Sequence, residues 1–131
     1  QSLAELAAAN DPRLHNRHWV RSVSKQVASH TAKLHHNGFI HNDLKWRNIL
    51  VQDTTEPKVY FIDCPVGRRR FGMLRKRGII KDLACLDKLA CKQLTRTERL
   101  RFYKDYTSKR RINPQDKVLI KRAVHFFDGR D

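Results

Sequence analysis

Polar residues of five kinds stand close together in the segment GFIHNDLKWRNILV, residues 38–51, among them His41, Asp43, Lys45, Arg47 and Asn48. Apolar runs flank them on both sides, which describes a loop held at each end by buried backbone rather than a solvated turn. Asp43 is a candidate proton acceptor, and Lys45 is a point positive charge able to meet a phosphate. Asn48 precedes the apolar run Ile49-Leu50-Val51, and Asp63 follows the run Val59-Tyr60-Phe61-Ile62. If the two runs pair as an antiparallel hairpin, Asn48 and Asp63 reach the same end of the ribbon, where Asp43 also arrives. Oxygen ligands without thiols or a histidine pair suit Mg²⁺ or Mn²⁺ rather than zinc. A carboxylate and an amide for a metal, a lysine for a phosphate and a second carboxylate for a proton are the parts of phosphoryl transfer.

These groups need a scaffold. Residues 2–9 read as a short helix. A longer one runs from about His18 to His36, its stripe formed by Trp19, Val23, Val27, Thr31 and Leu34 and its stop by Asn37-Gly38. The hairpin follows. Residues 64–78 read as irregular, because Pro65, Gly67, Gly72 and Gly78 punctuate a basic run. A helix is expected from about Lys81 to Gln93. Thr95 and Glu98 announce another by a capping box, with Leu100, Tyr103 and Tyr106 on its apolar face. Asn113-Pro114 starts the last, lined by Leu119, Ala123 and Phe126. The fold class is α+β, mainly helical.

The chain has 131 residues, enough for one core, and carries a net charge of +15. That charge points to polyanionic partners: nucleic acid, an anionic membrane face, or a phosphorylated or carboxylated substrate. Aromatic residues are sparse in the basic runs and no RNA-binding signature occurs, so nucleic acid is the least favoured. The three cysteines form no C-x-x-C pair, which disfavours a disulfide framework or zinc ribbon and suits a reducing compartment. No apolar run reaches the roughly 20 residues of a membrane span.

The motif HNDLKWRN resembles the catalytic loop of protein kinases, H-x-D-L-x-x-x-N, and FIDCP stands where those enzymes have their metal-binding D-F-G. With KDLACLDKLA and TRTERLRFYKDY, the chain from about residue 17 to 107 resembles the Kdo/WaaP family of bacterial lipopolysaccharide core kinases. The resemblance implies the C-lobe of a protein-kinase-like fold, with an N-lobe expected upstream. Without that lobe the chain alone is expected to show little catalysis. It implies ATP as co-substrate and Mg²⁺ (or Mn²⁺) as cofactor. Asp43 would be the catalytic base for a sugar hydroxyl of Kdo or heptose, and Lys45 would touch the transferred phosphate. Asn48 and Asp63 would bind metal. His41 would brace the loop, and Asp82 would hold it through backbone N–H groups. The alternative for Asp82 is a first-turn carboxylate favoured by the helix dipole. It further implies a Gram-negative source and a cytoplasmic site peripheral to the inner membrane. The departures from kinases are Cys64-Pro65 after Asp63, a short activation segment, and the lack of a glycine-rich loop within the chain.

VGRRRFGMLRKRGIIK, residues 66–81, holds seven Lys and Arg residues and no acid, and follows Asp63 directly. Arg68, Arg69, Arg70, Arg75, Lys76 and Arg77, with Arg47 of the polar loop, are candidates for binding the lipopolysaccharide inner core or an anionic membrane surface. Phe71, Met73 and Leu74 could dip among headgroups. Trp46 is open to two readings, a stack on a sugar or packing in the core. Cys64 reads as a small buried hydrophobe, and His35-His36 as a surface helix end. The competing functions are a kinase with a small-molecule or protein acceptor and a non-catalytic polyanion-binding module. The sequence gives no reading of oligomeric state.

Overall fold

The computed structural model describes residues 1–53, 56–62 and 68–129. It is mixed α/β, mainly helical, with small antiparallel sheets. Helix α1 (Leu3–Ala8) is opened by a capping box between Ser2 and Glu5 and buries Leu3 and Leu6. Helix α2 (Arg17–His36) is capped by Asn16, and its buried stripe runs Trp19, Val23, Val27 and Thr31 as expected. The next buried member is His35 rather than Leu34.

Strand β1 (Phe39–Ile40) enters the polar loop, and a 3-10 turn at Trp46–Asn48 leaves it for β2 (Ile49–Asp53). Strand β3 (Pro57–Phe61) returns antiparallel, with Ile49 opposite Phe61 and Val51 opposite Val59. Buried Ile40 and Ile49 anchor the two ends of the loop. The backbone before α1 adds to the outer edge of β2, where Val51 N–H donates to the Gln1 carbonyl at 2.8 Å. Strand β4 (Arg68–Arg69) pairs with β1, so the basic segment returns to the entrance of the polar loop.

Helix α3 (Gly72–Gln93) begins about nine residues earlier than the sequence implied, and the stretch 72–78 is helical rather than irregular. Gly78 explains the difference. A Cβ there would lie 2.6 Å from Ile40 Cγ1, so the glycine exists to let α3 close on β1, not to end a helix. Helix α4 (Arg96–Thr107) has its Thr95/Glu98 capping box, and α5 (Pro114–Val124) starts at Pro114 under an Asn113 cap. Tyr103 and Ala123 face inward as expected, while Leu100 is partly exposed and Phe126 lies beyond the end of α5. Helix α4 packs on α2, where Arg21 pairs with Asp105, and α5 packs on α3.

The core gathers Leu6, Trp19, Val23, Val27, Leu44, Ile49 and Leu86 from α1, α2, the loop, β2 and α3. Trp46 belongs to it: the indole is buried and its Nε1–H donates to the Leu86 carbonyl at 2.9 Å. The sugar-stacking alternative for Trp46 is thereby set aside, and the tryptophan fixes the loop to α3. No helix among the described residues is long and apolar enough to cross a membrane.

Candidate active site

The loop from Ile40 to Ile49 is held from below by one carboxylate. Asp82 is wholly buried and accepts three hydrogen bonds. Its Oδ2 takes the His41 N–H at 3.0 Å and His35 Nε2 at 2.8 Å, and its Oδ1 takes the Asn42 N–H at 2.9 Å. An ionised carboxylate only accepts, so the proton on His35 Nε2 points at it. Asp82 lies in the middle of α3, so the first-turn dipole explanation no longer applies. Asn42 has a left-handed backbone, φ 75°, which asparagine tolerates better than most residues. That turn directs the chain into Asp43.

His41 ties the loop to the returning strand. Asp43 N–H donates to its Nδ1 at 3.2 Å, so the ring carries its proton on Nε2, which lies 3.0 Å from the Ile62 carbonyl. Ile62 N–H in turn donates to the Asn48 carbonyl at 2.9 Å, extending the β2–β3 ladder by one step. The chain therefore leaves Ile62 alongside Asn48. Asp63, the expected second metal ligand, lies outside the described residues, as does Cys64.

Asp43 and Asn48 come together as their spacing implied. Asn48 Nδ2 donates to the Asp43 carbonyl at 2.7 Å and to Asp43 Oδ2 at 3.1 Å. Both amide hydrogens being so used, Asn48 would offer Oδ1 to a cation. Arg47 Nη2 also reaches Asp43 Oδ2, at 3.2 Å, and Lys45 Nζ stands 3.8 Å from Oδ1. Partial burial pushes the Asp43 carboxyl upward, but the hydrogen bonds from Arg47 and Asn48 and the charges of Arg47 and Lys45 outweigh it and hold it below its ordinary value. Asp43 is thus a carboxylate at neutral pH, ringed by donors and only partly shielded from solvent.

The residues that surround this carboxylate suit an alcohol proton on one side and phosphate oxygens on the other. The model of the lipopolysaccharide kinase (Kdo/WaaP) family matches residues 1–106. The chain belongs to that family. The match covers every residue of the site described above and stops before α5. Comparison with curated proteins gave no match.

Within this Kdo/WaaP-family chain, the basic candidates are not equivalent. Arg47 is engaged by Asp43. Arg75 Nη2 donates to the His35 carbonyl at 2.7 Å, at the C-terminal end of α2, where cations are favoured. Arg68, Arg69, Lys76 and Arg77 are exposed, and Arg70 is half-buried. Arg75, Lys76 and Arg77 are helical rather than part of the irregular run that the sequence suggested, so they point in different directions.

Two residues of the assembly escaped sequence reading. His35 is not a surface helix end: it is buried, with Tyr106 Oη 2.6 Å from Nδ1 and Asp82 on Nε2. Burial holds the Tyr106 phenol above its ordinary pKa, so it remains a donor. The signal for His35 was its place four residues after Thr31 on the buried stripe. Lys81 is the other, its Nζ 3.4 Å from Asn42 Oδ1. Among the described residues no cluster of three or more His, Cys, Asp or Glu side chains could hold a metal. The apolar cavity of about 840 Å³ between α2 and α5 is lined by neither Asp43 nor Asn48.

Proposed function

We propose that this chain is the catalytic-loop-bearing C-lobe of a protein-kinase-like fold and transfers the terminal phosphate of ATP to a hydroxyl of Kdo or heptose in the lipopolysaccharide inner core. The observation that carries the reading is the Asp43–Asn48 pair, held on a loop that buried Asp82 braces, in a chain of the lipopolysaccharide kinase family. Asp43 orients the sugar hydroxyl and takes its proton as the oxygen bonds to phosphorus and the bond to the ADP oxygen breaks. Lys45, on the other carboxylate oxygen, is placed to meet the moving phosphoryl group. Arg47 exchanges Asp43 for phosphate when substrate arrives, because guanidinium serves both. Asn48 Oδ1 with Asp63 would hold Mg²⁺ (or Mn²⁺), which supplies positive charge to the nucleotide phosphates when bound.

The test is transfer of labelled phosphate from ATP by the purified full-length enzyme. Defined Kdo- and heptose-containing core saccharides should be labelled in the presence of Mg²⁺. Labelling of proteins or small alcohols in place of core saccharides would overturn the acceptor assignment. Salt-sensitive DNA affinity without any transfer would overturn the enzyme reading altogether.

The same reading places the enzyme on the cytoplasmic face of the inner membrane. Phe71, Met73 and Leu74 are 76%, 85% and 62% exposed and sit among Arg68, Arg69, Arg70, Arg75, Lys76 and Arg77. Large apolar groups rimmed by cations suit an anionic headgroup layer, where each basic residue adds ~1 kcal/mol. Replacing Phe71 and Met73 by serine is expected to lower partition onto phosphatidylglycerol vesicles about tenfold in a sedimentation assay, while the far-ultraviolet spectrum stays unchanged. Undiminished partition would rule this surface out.

A further inference from the structure

The first half of α3 turns one stripe, Leu74, Arg77 with Gly78, and Lys81, toward the catalytic loop. Gly78 lets the helix close on Ile40, and beside that contact a pocket of about 500 Å³ opens. Arg70, Arg77 and Lys81 line it together with Asn42, Leu74 and Phe127. No acid is among its described lining residues, and the volume lies within the ~300–1,000 Å³ typical of small-ligand sites. A cleft lined by one sign of charge concentrates ions of the other.

Its position says what it would take. The described side chains that touch the Asp43 carboxylate are Lys45, Arg47 and Asn48, all after it in the chain. None of them lines this pocket, which is reached through Asn42, the residue before Asp43. The loop thus joins two cationic groups that share no residue, one on the Asp43 carboxylate and one beside Asn42. Phosphoryl transfer places donor and acceptor on opposite sides of the moving group. With the nucleotide's phosphates met by the Lys45, Arg47 and Asn48 zone, the second zone falls to the acceptor. Lys81 is fixed there through Asn42 Oδ1, and its neighbour Asp82 holds the Asn42 N–H, so subsite and catalytic loop share one anchor.

We propose that this pocket is an anion subsite in which Arg70, Arg77 and Lys81 hold a carboxylate or phosphate borne by the acceptor sugar beside the hydroxyl presented to Asp43. The proposal rests on the phosphotransferase reading and adds the charge requirement on the substrate. Arg77 and Arg70 supply paired N–H donors of the kind that match carboxylate and phosphate, while Lys81 supplies a point charge at the inner end.

The experiment compares wild-type full-length enzyme with Lys81→Gln, Arg77→Gln and Lys81→Arg, with Lys92→Gln on the exposed C-terminal part of α3 as control, after thermal melts show all are folded. Three acceptors are used: a native core saccharide, its carboxyl methyl ester and its dephosphorylated form. Lys81→Gln and Arg77→Gln are expected to raise the acceptor KM about tenfold, with the KM for ATP changed less than twofold and Lys81→Arg largely restored. The ester or the dephosphorylated form, whichever lacks the group held, should weaken wild type by a similar factor and leave Lys81→Gln no worse. Equal losses from Lys92→Gln, or ester and phosphate effects undiminished in Lys81→Gln, would overturn the subsite. If wild type labels no core saccharide, the phosphotransferase reading fails by itself. Titration with Kdo and with inorganic phosphate, followed by the amide resonances of Asn42 and Lys81, then decides the subsite. Saturable shifts lost in Lys81→Gln and Arg77→Gln support it, and absent shifts overturn it.

Discussion

Replacing Asp43 by asparagine is expected to lower phosphate transfer by about 10²–10⁴-fold, the usual contribution of a positioned proton acceptor, with little change in melting temperature. The two effects separate because of where Asp43 sits. Its side chain is partly solvent-exposed, and the pairs with Arg47 and Lys45 are surface interactions of small net worth. Asparagine keeps the shape, and its backbone N–H keeps the bond to His41 Nδ1. On the proposed reading, what is lost is a basic oxygen facing the acceptor hydroxyl. The pH dependence follows from the same environment. The carboxyl is held below its ordinary value of 3.8 by Arg47, Asn48 and Lys45 against the upward push of burial. A lowered value means the charged form is present above the unfolded value and is lost only as pH falls through the lower folded one. The acid limb of kcat/KM assigned to Asp43 should therefore lie below pH 3.8, and a plateau should extend through neutrality. Replacing Arg47 by alanine removes the first-named downward influence and should move that limb up. Transfer by Asp43→Asn within a factor of two of wild type would show that another group takes the proton.

Much of this site was readable before any coordinates, because its information is local. Asp43 and Asn48 are five residues apart on one loop, and the hairpin that brings Ile62 back beside Asn48 is announced by two apolar runs rich in β-branched residues. The capping boxes at Thr95 and Asn113 were readable for the same reason: each is a bond between residues three apart. Sequence reading failed where a residue's meaning depends on a distant partner. Gly72 and Gly78 in a basic run look like loop punctuation, and only the approach of Ile40 shows that Gly78 is a packing residue inside a helix. His35 lacks an apolar side chain to mark it as buried, and its partners Asp82 and Tyr106 are 47 and 71 residues away. The basic residues could be counted but not sorted, because helix phase decides that Arg75 caps α2 while Arg77 and Lys81 face the loop. Trp46 was undecided for a similar reason. An indole suits a sugar face and a core equally, until the Leu86 carbonyl claims its N–H.

Replacing Asp82 by alanine is expected to be strongly destabilising, costing on the order of 3–5 kcal/mol. Asp82 is 0% exposed and serves three donors at once. Its loss takes the acceptor from the buried His41 N–H and His35 Nε2 and from the half-buried Asn42 N–H, and each buried donor left unsatisfied costs ~1–3 kcal/mol. Asparagine is no cure. Its amide can present one oxygen but turns an NH₂ toward a donor, so it keeps part of the network and opposes the rest. Chemical denaturation should show a lower midpoint for both variants, with alanine the worse. Activity should fall further than stability accounts for, because the left-handed turn at Asn42 that aims Asp43 is held by the same carboxylate. Measured under conditions where the asparagine variant remains folded, its kcat should fall by at least tenfold while the KM for ATP moves little. The split matters because α2, α4 and the loop meet at this one side chain, through His35 and Tyr106 as well as the backbone. Truncating Tyr106 to phenylalanine removes only the outermost link and should cost about 1 kcal/mol, the worth of a single hydrogen bond, with catalysis nearly intact. An Asp82 variant as stable and as active as wild type would mean that the loop holds its shape without the brace, and the physical account of how Asp43 is aimed would have to be abandoned.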